Sequence, residues 1–187
     1  ANAYDPVLDK SIYTNAGNVN NRGLELEAGT AVYGGFSAYA SLTYQKSKVK
    51  SDITVAKNQT IATTGKEFPL TPGQMAGLSV QWADGPMYVR VKAKYHGKQY
   101  ATLMNDEEVP SYTVGELAAG YKLPDMGMMK NMQLRLNVSN IGNTRYRNPS
   151  SGSVVNAVKV GNTNPGTVFY YLGAPRMASL SFSADFR

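Results

Sequence analysis

The amino-acid sequence predicts an all-β protein, an antiparallel up-and-down β-barrel whose strands cross a membrane. Three observations predict this fold class. Apolar and polar residues alternate with period two over stretches of about ten residues, which is the length of a tilted membrane strand. Long and short connections alternate between these stretches. Aromatic residues gather near the ends of the stretches, as they do at the two interfaces of an outer-membrane barrel.

Composition agrees with this fold class. The chain has 187 residues, of which 42% are hydrophobic and 17% are charged, with 13 Tyr and 18 Gly. Soluble domains carry about 25% charged residues, so this chain is poor in charge. No run reaches the roughly 18 apolar residues that a spanning helix needs. The net charge of +6 fits an anionic partner.

Seven alternating stretches and one short piece are predicted to be the strands. MYVRVKAKYHGK illustrates the pattern, because Arg90 lies between Val89 and Val91. The stretches cover residues 23–32, 36–45, 75–82, 87–98, 112–123, 132–140 and 177–187. The short piece, Lys10–Thr14, is predicted to be an eighth strand. Together they predict an up-and-down meander without helices.

The predicted connections alternate in length. The short ones are 33–35, 83–86 and 124–130, and the long ones are 46–72, 97–110 and 141–167. All the long connections fall at one end of the meander, which is typical of outer-membrane barrels. The first of the long connections, 46–72, shows no pattern that would bury it.

Two other architectures share part of this pattern. A soluble β-sandwich that binds a partner would also alternate, but its strands usually have about five or six residues. Its apolar face would also need side chains that interlock in a core. A complete small barrel with a structural or adhesive role is the other alternative, since about eight strands suffice to close a barrel.

In a membrane barrel the apolar face meets lipid and the polar face meets the lumen. Backbone groups cannot stay unpaired in lipid, so the strands must pair on both sides. The residues predicted to face lipid are Leu42, Leu78, Val80, Val89, Val91, Leu134, Leu136, Leu180, Phe182 and Phe186. The charged residues predicted to face the lumen are Arg90, Lys92, Lys94, Glu116 and Arg135.

The lumen-facing cations are the most specific chemical feature of the sequence. A row of cations in a lumen would attract an anionic solute. The alternative is that the row pairs with carboxylates, either Glu116 on the neighbouring strand or groups of another domain. The predicted solute contacts are Arg90, His96, Tyr100, Tyr146, Arg147 and Tyr170.

Lys46, Lys48 and Lys50 form a second group of cations, where the chain enters the first long loop. Such lysines would either meet phosphate groups of the outer leaflet or belong to a solvated loop. Both interpretations fit the sequence.

The sequence offers little for catalysis or metal binding. It has no Cys and a single His, His96, which excludes a thiolate or histidine-rich zinc site. It has no glycine-rich phosphate loop of known spacing and no Ser fixed beside His96 by a motif. The basic row lies between apolar neighbours, unlike a nucleic-acid surface. We therefore predict no enzyme activity, no cofactor, no metal and no nucleic-acid partner.

Four segments follow one another along the chain: NNRGLELEAG (20–29), VPSYTVGELAAGYKL (109–123), NVSNIGNTRY (137–146) and YLGAPRMASLSFSADF (171–186). Together they resemble the C-terminal portion of the TonB-dependent outer-membrane receptors. NNRGLELEAG (20–29) is similar to the family's Arg-Gly-aliphatic-Glu strand, and NVSNIGNTRY (137–146) to its Asn-aliphatic-x-Asn-Leu segment that ends in Tyr. VPSYTVGELAAGYKL (109–123) resembles the family's strand just before NVSNIGNTRY. YLGAPRMASLSFSADF (171–186) resembles the terminal strand with its Pro-Arg pair and closing aromatic residue.

The resemblance implies a barrel of about 22 strands, of which residues 1–187 would supply about the last eight. It implies that the chain is a fragment of a receptor whose plug domain and TonB-contacting segment are not in this sequence. It also implies an outer-membrane location in a Gram-negative bacterium, with the long loops outside and the C-terminus in the periplasm.

The implied function is TonB-energised uptake of a scarce solute. Ferric siderophores or other iron chelates come first, and cobalamin, nickel chelates and oligosaccharides follow. The expected partners are the small-molecule ligand, the receptor's own plug domain, the TonB complex, and outer-membrane lipid including lipopolysaccharide.

Overall fold

All regular structure in the computed structural model is β-strand, over the residues that it describes: 2–5, 10–13, 17–56, 59–152 and 154–186. Within these ranges no helix has the length and apolar character to cross a membrane. The strands are β1 Asn2–Asp5, β2 Lys10–Tyr13, β3 Val19–Gly29, β4 Phe36–Val49, β5 Ile53–Ala56, β6 Gln59–Ile61, β7 Gln74–Asp84, β8 Met87–His96, β9 Gln99–Tyr100, β10 Glu108–Val109, β11 Tyr112–Lys122, β12 Met129–Ser139, β13 Arg147–Pro149, β14 Tyr170–Leu172 and β15 Met177–Phe186.

The long strands form one sheet of seven strands in the order β15-β12-β11-β8-β7-β4-β3. Every pair is antiparallel and joins strands that follow one another in this set. The predicted antiparallel meander is therefore confirmed. Of the described residues, those of β3 and β15 form the two outer edges of this sheet, so the sheet is an open wall.

One face of the wall is apolar across all its strands. In the register, Val80 of β7 lies between Ala38 of β4 and Val91 of β8, and Val91 lies opposite Leu117 of β11. On β15, Leu180 and Phe182 remain 68% and 56% exposed. The other face is polar. Such a division gives the wall two surfaces of opposite chemistry, because neighbouring side chains of a strand point to opposite faces.

The buried residues lie mainly in the long loops, where the sequence showed no pattern that would bury a segment. Val49, Ile53 and Ile61 are between 1% and 3% exposed, and Ala101 and Leu103 are equally buried in the second long loop. The expectation that no residues of 46–72 are buried is therefore wrong. Strand β4 continues to Val49, and the chain then forms a β5–β6 hairpin.

The predicted eighth strand exists but does not join the wall. Lys10–Tyr13 is strand β2, which pairs with β1 in a separate two-stranded sheet, and Thr14 lies outside the described residues. Four residues are too few to cross a hydrocarbon layer, which takes about nine to eleven tilted residues. The wall thus has seven strands in the described residues, not eight.

Asn140 ties together the two ends of the long connection between β12 and β15. It is 2% exposed and has a left-handed backbone with φ of 49°. Its Nδ2 donates hydrogen bonds to the carbonyl oxygens of Thr144 (2.9 Å) and Ala174 (2.8 Å). Its Oδ1 accepts one from the Thr144 amide at 2.8 Å. An amide side chain is needed here because it both donates and accepts.

We predict that Asn140→Ala destabilises the full-length protein by about 1–3 kcal/mol, because it leaves part-buried backbone groups of Thr144 and Ala174 without their partner. Alanine is also disfavoured at positive φ. The free energy of unfolding in urea measures the effect. The control is Asn137→Ala on the exposed part of β12, which should change stability by less than about 0.5 kcal/mol. Equal effects from both variants would contradict the assigned role.

Candidate functional site

The polar face of the wall holds a cavity of about 780 Å³ that spans β4, β7, β8 and β11. The side chains that give it chemical character are Lys92, Lys94, His96, Tyr112, Glu116 and Tyr146. The alternation of β8 places three of them on one face, and Tyr112 lies opposite His96 in the register. The cavity thus has a cationic side and an aromatic side, and it lies toward the end of the sheet that carries the long loops.

Three aromatic rings form a continuous stack at the mouth of this cavity. The ring of Tyr112 lies 4.9 Å from that of His96 and 4.3 Å from that of Tyr146, with interplanar angles of 21° and 15°. The Tyr112 hydroxyl donates a hydrogen bond to Oδ1 of Asn148 at 3.2 Å. Stacking on both sides and this hydrogen bond fix the central ring, so the two outer rings, His96 and Tyr146, are held in place by Tyr112.

The predicted row of cations lies on the polar face as one continuous column of β8. Lys92 and Glu116 are directly opposite each other in the register, yet they form no ion pair in the described part of the chain. A smaller cavity of about 240 Å³ lies beside Arg90 and Lys92 and reaches Asn137. Internal pairing with Glu116, one of the two interpretations of the row, is not seen.

Two further predicted solute contacts, Arg147 and Tyr170, lie together in the loops and are engaged with each other. The Arg147 guanidinium is 4.4 Å from the ring centroid of Tyr170. Both side chains donate to Oε1 of Glu107, Arg147 at 3.3 Å and Tyr170 through its hydroxyl. Burial and then the hydrogen bond to Glu107 raise the pKa of Tyr170 to about 12. The hydroxyl therefore stays protonated and holds the β13–β14 hairpin to the loop that precedes β10.

Asp106 makes the second connection between these two loops. Its carboxylate accepts hydrogen bonds from the Thr102 hydroxyl (2.6 Å), the Ala157 amide (2.9 Å) and the Val158 amide (3.0 Å). Burial alone would raise the pKa of Asp106, but these hydrogen bonds outweigh it, so that its pKa lies below the ordinary value of 3.8. The ionised carboxylate thus docks residues about fifty positions away.

The remaining predicted contacts lie apart from the aromatic stack. Tyr100 is in β9, where its carbonyl accepts a hydrogen bond from the Leu70 amide at 3.0 Å. Arg90 lies lower on the polar face, beside the smaller cavity. Arg135 is also on that face, where it donates to Gln133. The six predicted contacts are therefore distributed over a stack, a loop network and two separate positions.

Sequence reasoning missed Tyr112, Glu107 and Asp106. Period two along β11 could have identified Tyr112, because it shares the face of Glu116 at the end next to a long loop. No local signal marks Glu107 or Asp106, whose partners are distant in sequence. Searching the described residues gives no group of three or more His, Cys, Asp or Glu that could hold a metal ion.

The chain is similar in sequence to a known family and to two curated proteins. A family model described as the TonB dependent receptor-like beta-barrel matches residues 2–141. A ferrioxamine receptor of Yersinia enterocolitica is 35% identical over 136 residues, which cover 72% of this chain and 18% of that protein. A probable TonB-dependent siderophore receptor, PiuA of Acinetobacter baumannii, is 28% identical over 145 residues, covering 74% and 19%. The chain thus spans about a fifth of the length of these curated relatives.

Solved structures show the same fold. The siderophore receptor PiuA of Acinetobacter baumannii superposes with a TM-score of 0.69 at 20% identity, over 98% of this chain and 23% of that one. The ferric yersiniabactin uptake receptor FyuA of Yersinia pestis superposes with a TM-score of 0.68 at 21% identity, over 92% and 24%. The seven-stranded sheet therefore has the fold of a segment of a receptor barrel.

We predict that Asp106→Asn releases the loop around Ala157 and Val158. Hydrogen bonds to a charged group contribute about 1.5–3 kcal/mol, so exchange of these amides should accelerate by at least about tenfold. Hydrogen exchange of the full-length protein, read by mass spectrometry, measures it. The matched control is Glu108→Gln, which removes an exposed ion pair with Lys98 and should change nothing at 157–158.

Acid should mimic this substitution. Because the folded-state pKa of Asp106 is lowered, its stabilisation is complete above pH 3.8 and is lost as the pH falls further, through the folded-state pKa. Unchanged exchange in Asp106→Asn at neutral pH would show that the carboxylate does not hold the loop.

Proposed function

Because this chain belongs to the family of TonB-dependent receptor-like β-barrels, we propose that it forms a C-terminal part of the wall of an outer-membrane receptor. The complete receptor imports a scarce solute with energy supplied through TonB. The observation that carries this proposal is the two-faced seven-stranded wall, apolar on one side and polar with a cavity on the other. Residues 1–187 act as one segment of that barrel.

A ferric siderophore or a similar iron chelate is the proposed solute. The two curated relatives are a ferrioxamine receptor and a probable siderophore receptor. Iron chelates that keep free carboxylates are anionic, and the β8 cations, which form no ion pair among the described residues, would attract such a chelate into the lumen. The role of this chain is transport, not catalysis.

The apolar face is proposed to meet lipid. Its members on β12 and β15, Leu134 and Phe182, lie opposite each other and are 39% and 56% exposed. A wall that spans a bilayer needs only an apolar outer surface, while a soluble sheet would cover these side chains. The remaining residues proposed to face lipid are Leu42, Leu78, Val80, Val89, Val91, Leu136, Leu180 and Phe186.

The polar face is proposed to line the lumen, with Arg90, Lys92, Lys94, Glu116 and Arg135 as its charged groups. We propose His96 and Tyr146 as solute contacts, because they border the large cavity beside Lys94. Arg147 and Tyr170 hold the loops above it together. Tyr100 and Arg90 contribute from positions farther away.

The proposed orientation has the long loops outside the cell and the C-terminus in the periplasm. The aromatic stack then faces the outside, where a solute arrives. The proposed partners are the small-molecule solute, the plug domain and the TonB complex, together with outer-membrane lipid and lipopolysaccharide around the wall. No nucleic acid takes part.

We predict that Leu134→Arg lowers the free energy of unfolding in a bilayer by about 2–4 kcal/mol, because it places a charge near the middle of a lipid-facing strand. Its neighbour Gln133 points to the polar face, so Gln133→Arg should be far milder. Urea titrations of the full-length protein in lipid vesicles measure both. Equal losses in the two variants would reject the assignment of the faces.

We predict that Tyr112→Ala weakens binding of a ferric hydroxamate such as ferrioxamine by about tenfold, because the proposed contacts His96 and Tyr146 lose the ring that holds them in place. Tyr112→Phe keeps the stack and should bind within about twofold of the wild type. Tyr121→Ala, on the apolar face of the same strand, is the control. Equilibrium binding to the full-length receptor measures all three, and wild-type affinity in Tyr112→Ala would remove the stack from the solute site.

A further inference from the structure

A ladder of cations continues the apolar face of β4 beyond its aromatic residue. Leu42, Tyr44, Lys46 and Lys48 occupy alternate positions, and the register of β4 is continuous through them. The Lys46 ammonium lies 5.9 Å from the ring centroid of Tyr44, which confirms that both point to the same side. The lysines therefore belong to the outward apolar face and not to the polar face.

The two faces of β4 also differ in exposure at the end of the strand that carries the lysines. Ser47 and Val49, between and after the lysines, are 7% and 1% exposed beneath the first long loop, whereas Lys46 and Lys48 are exposed. The lysines thus stand on the outside of a strand whose inner side is packed. This is an ordered surface, and the interpretation as a solvated flexible loop does not describe it.

The neighbouring strand adds a third cation at the same height. Arg22 of β3 lies directly opposite Lys46 in the register, so both side chains project from one face. Like charges directly opposite each other destabilise a sheet. None of Arg22, Lys46 and Lys48 forms an ion pair with a carboxylate in the described part of the chain. Glu67 lies opposite Lys48 in an isolated β-bridge. Three cations face this carboxylate, so an excess of positive charge remains for an added anion.

A hollow of about 350 Å³ lies beside Lys46, between the ends of β4, β7 and β8. Tyr44 and Tyr95 form its aromatic side, and Lys46 and Lys98 supply positive charge. One carboxylate, Glu67, also lines it, while Lys98 is 3.1 Å from Glu108. Gly97 and Gln74 also line the hollow, and the Gly97 amide donates a hydrogen bond to the Gln74 carbonyl oxygen at 2.8 Å.

We propose that Arg22, Lys46 and Lys48, with the hollow beside them, bind the phosphate group of an anionic lipid headgroup in the leaflet next to the long loops. The proposal builds on the assignment of the apolar face to lipid. Tyr44 and Tyr95 then mark the depth of the headgroups, as interfacial aromatic residues do. The acyl chains lie on the apolar face below, and the phosphate lies where the lysines begin.

Continuity with the apolar face favours a lipid over a free anion. A phosphate in solution would use only the cations, whereas a lipid also contacts the tyrosine rings and Leu42 along the same strand. Each lysine near an anionic membrane surface contributes about 1 kcal/mol. A phosphorylated glycolipid fits best, because its phosphate monoester carries nearly two negative charges, whereas the phosphodiester of an ordinary phospholipid headgroup carries one.

The test uses the full-length receptor in detergent and native mass spectrometry with lipid A. The variant is Lys46→Gln with Lys48→Gln, and the control is Lys66→Gln with Lys159→Gln, which removes two loop lysines. We expect bisphosphorylated lipid A to bind the variant roughly 30-fold more weakly than the wild type, corresponding to about 2 kcal/mol. The control should bind as the wild type does, and dephosphorylated lipid A should bind all three proteins equally weakly.

Three results would overturn the proposal. They are equal retention of lipid A by the wild type and the variant, an equal loss in the control, and full displacement of lipid A by inorganic pyrophosphate at matched phosphate concentration. Binding of ferrioxamine to the same proteins separates this proposal from the transport function. The variant should keep that binding, and absence of binding in every protein including the wild type would count against the solute and not against the lipid site.

Discussion

Backbone pairing between successive long strands is the constraint on which the rest of the structure depends. Each strand of the wall takes its partners from the strands before and after it in this set. Because the side chains alternate, the register that satisfies the backbone also separates the two faces. A slip of one residue would exchange the apolar and polar surfaces of a strand. The same pairing therefore produces the proposed lipid surface and the cationic cavity.

Period two in the sequence is sufficient to predict the wall. Val91 and Lys92 are assigned to opposite faces by position alone, and the register agrees with that assignment. The loops are a different case, because their order comes from contacts between distant segments. The Asp106 carboxylate holds amides 51 and 52 residues away, and Glu107 meets Tyr170 at a separation of 63. No periodicity encodes such pairs, so the predicted contacts Arg147 and Tyr170 could be named but not their partner Glu107.

The segment 137–146 shows how a sequence resemblance acquires a physical basis. Asn140 joins the beginning and the end of the long connection, and the Ile141 amide donates to the Gly115 carbonyl of the neighbouring strand at 2.9 Å. Tyr146 closes the segment by stacking on Tyr112. Each residue type is required by a contact: an amide that donates and accepts, and a ring that stacks. The same segment thus connects the wall to the mouth of the cavity.

The contacts between the loop before β10 and the chain from β13 to β14 have a mechanical consequence. Asp106 and Glu107 are adjacent, and they hold the loop before β10 to the chain near Ala157 and to the β13–β14 hairpin respectively. The two loops cannot separate unless the hydrogen bonds of both Asp106 and Glu107 break, so the loops are held together as one unit. A force applied at one loop is therefore transmitted to the other.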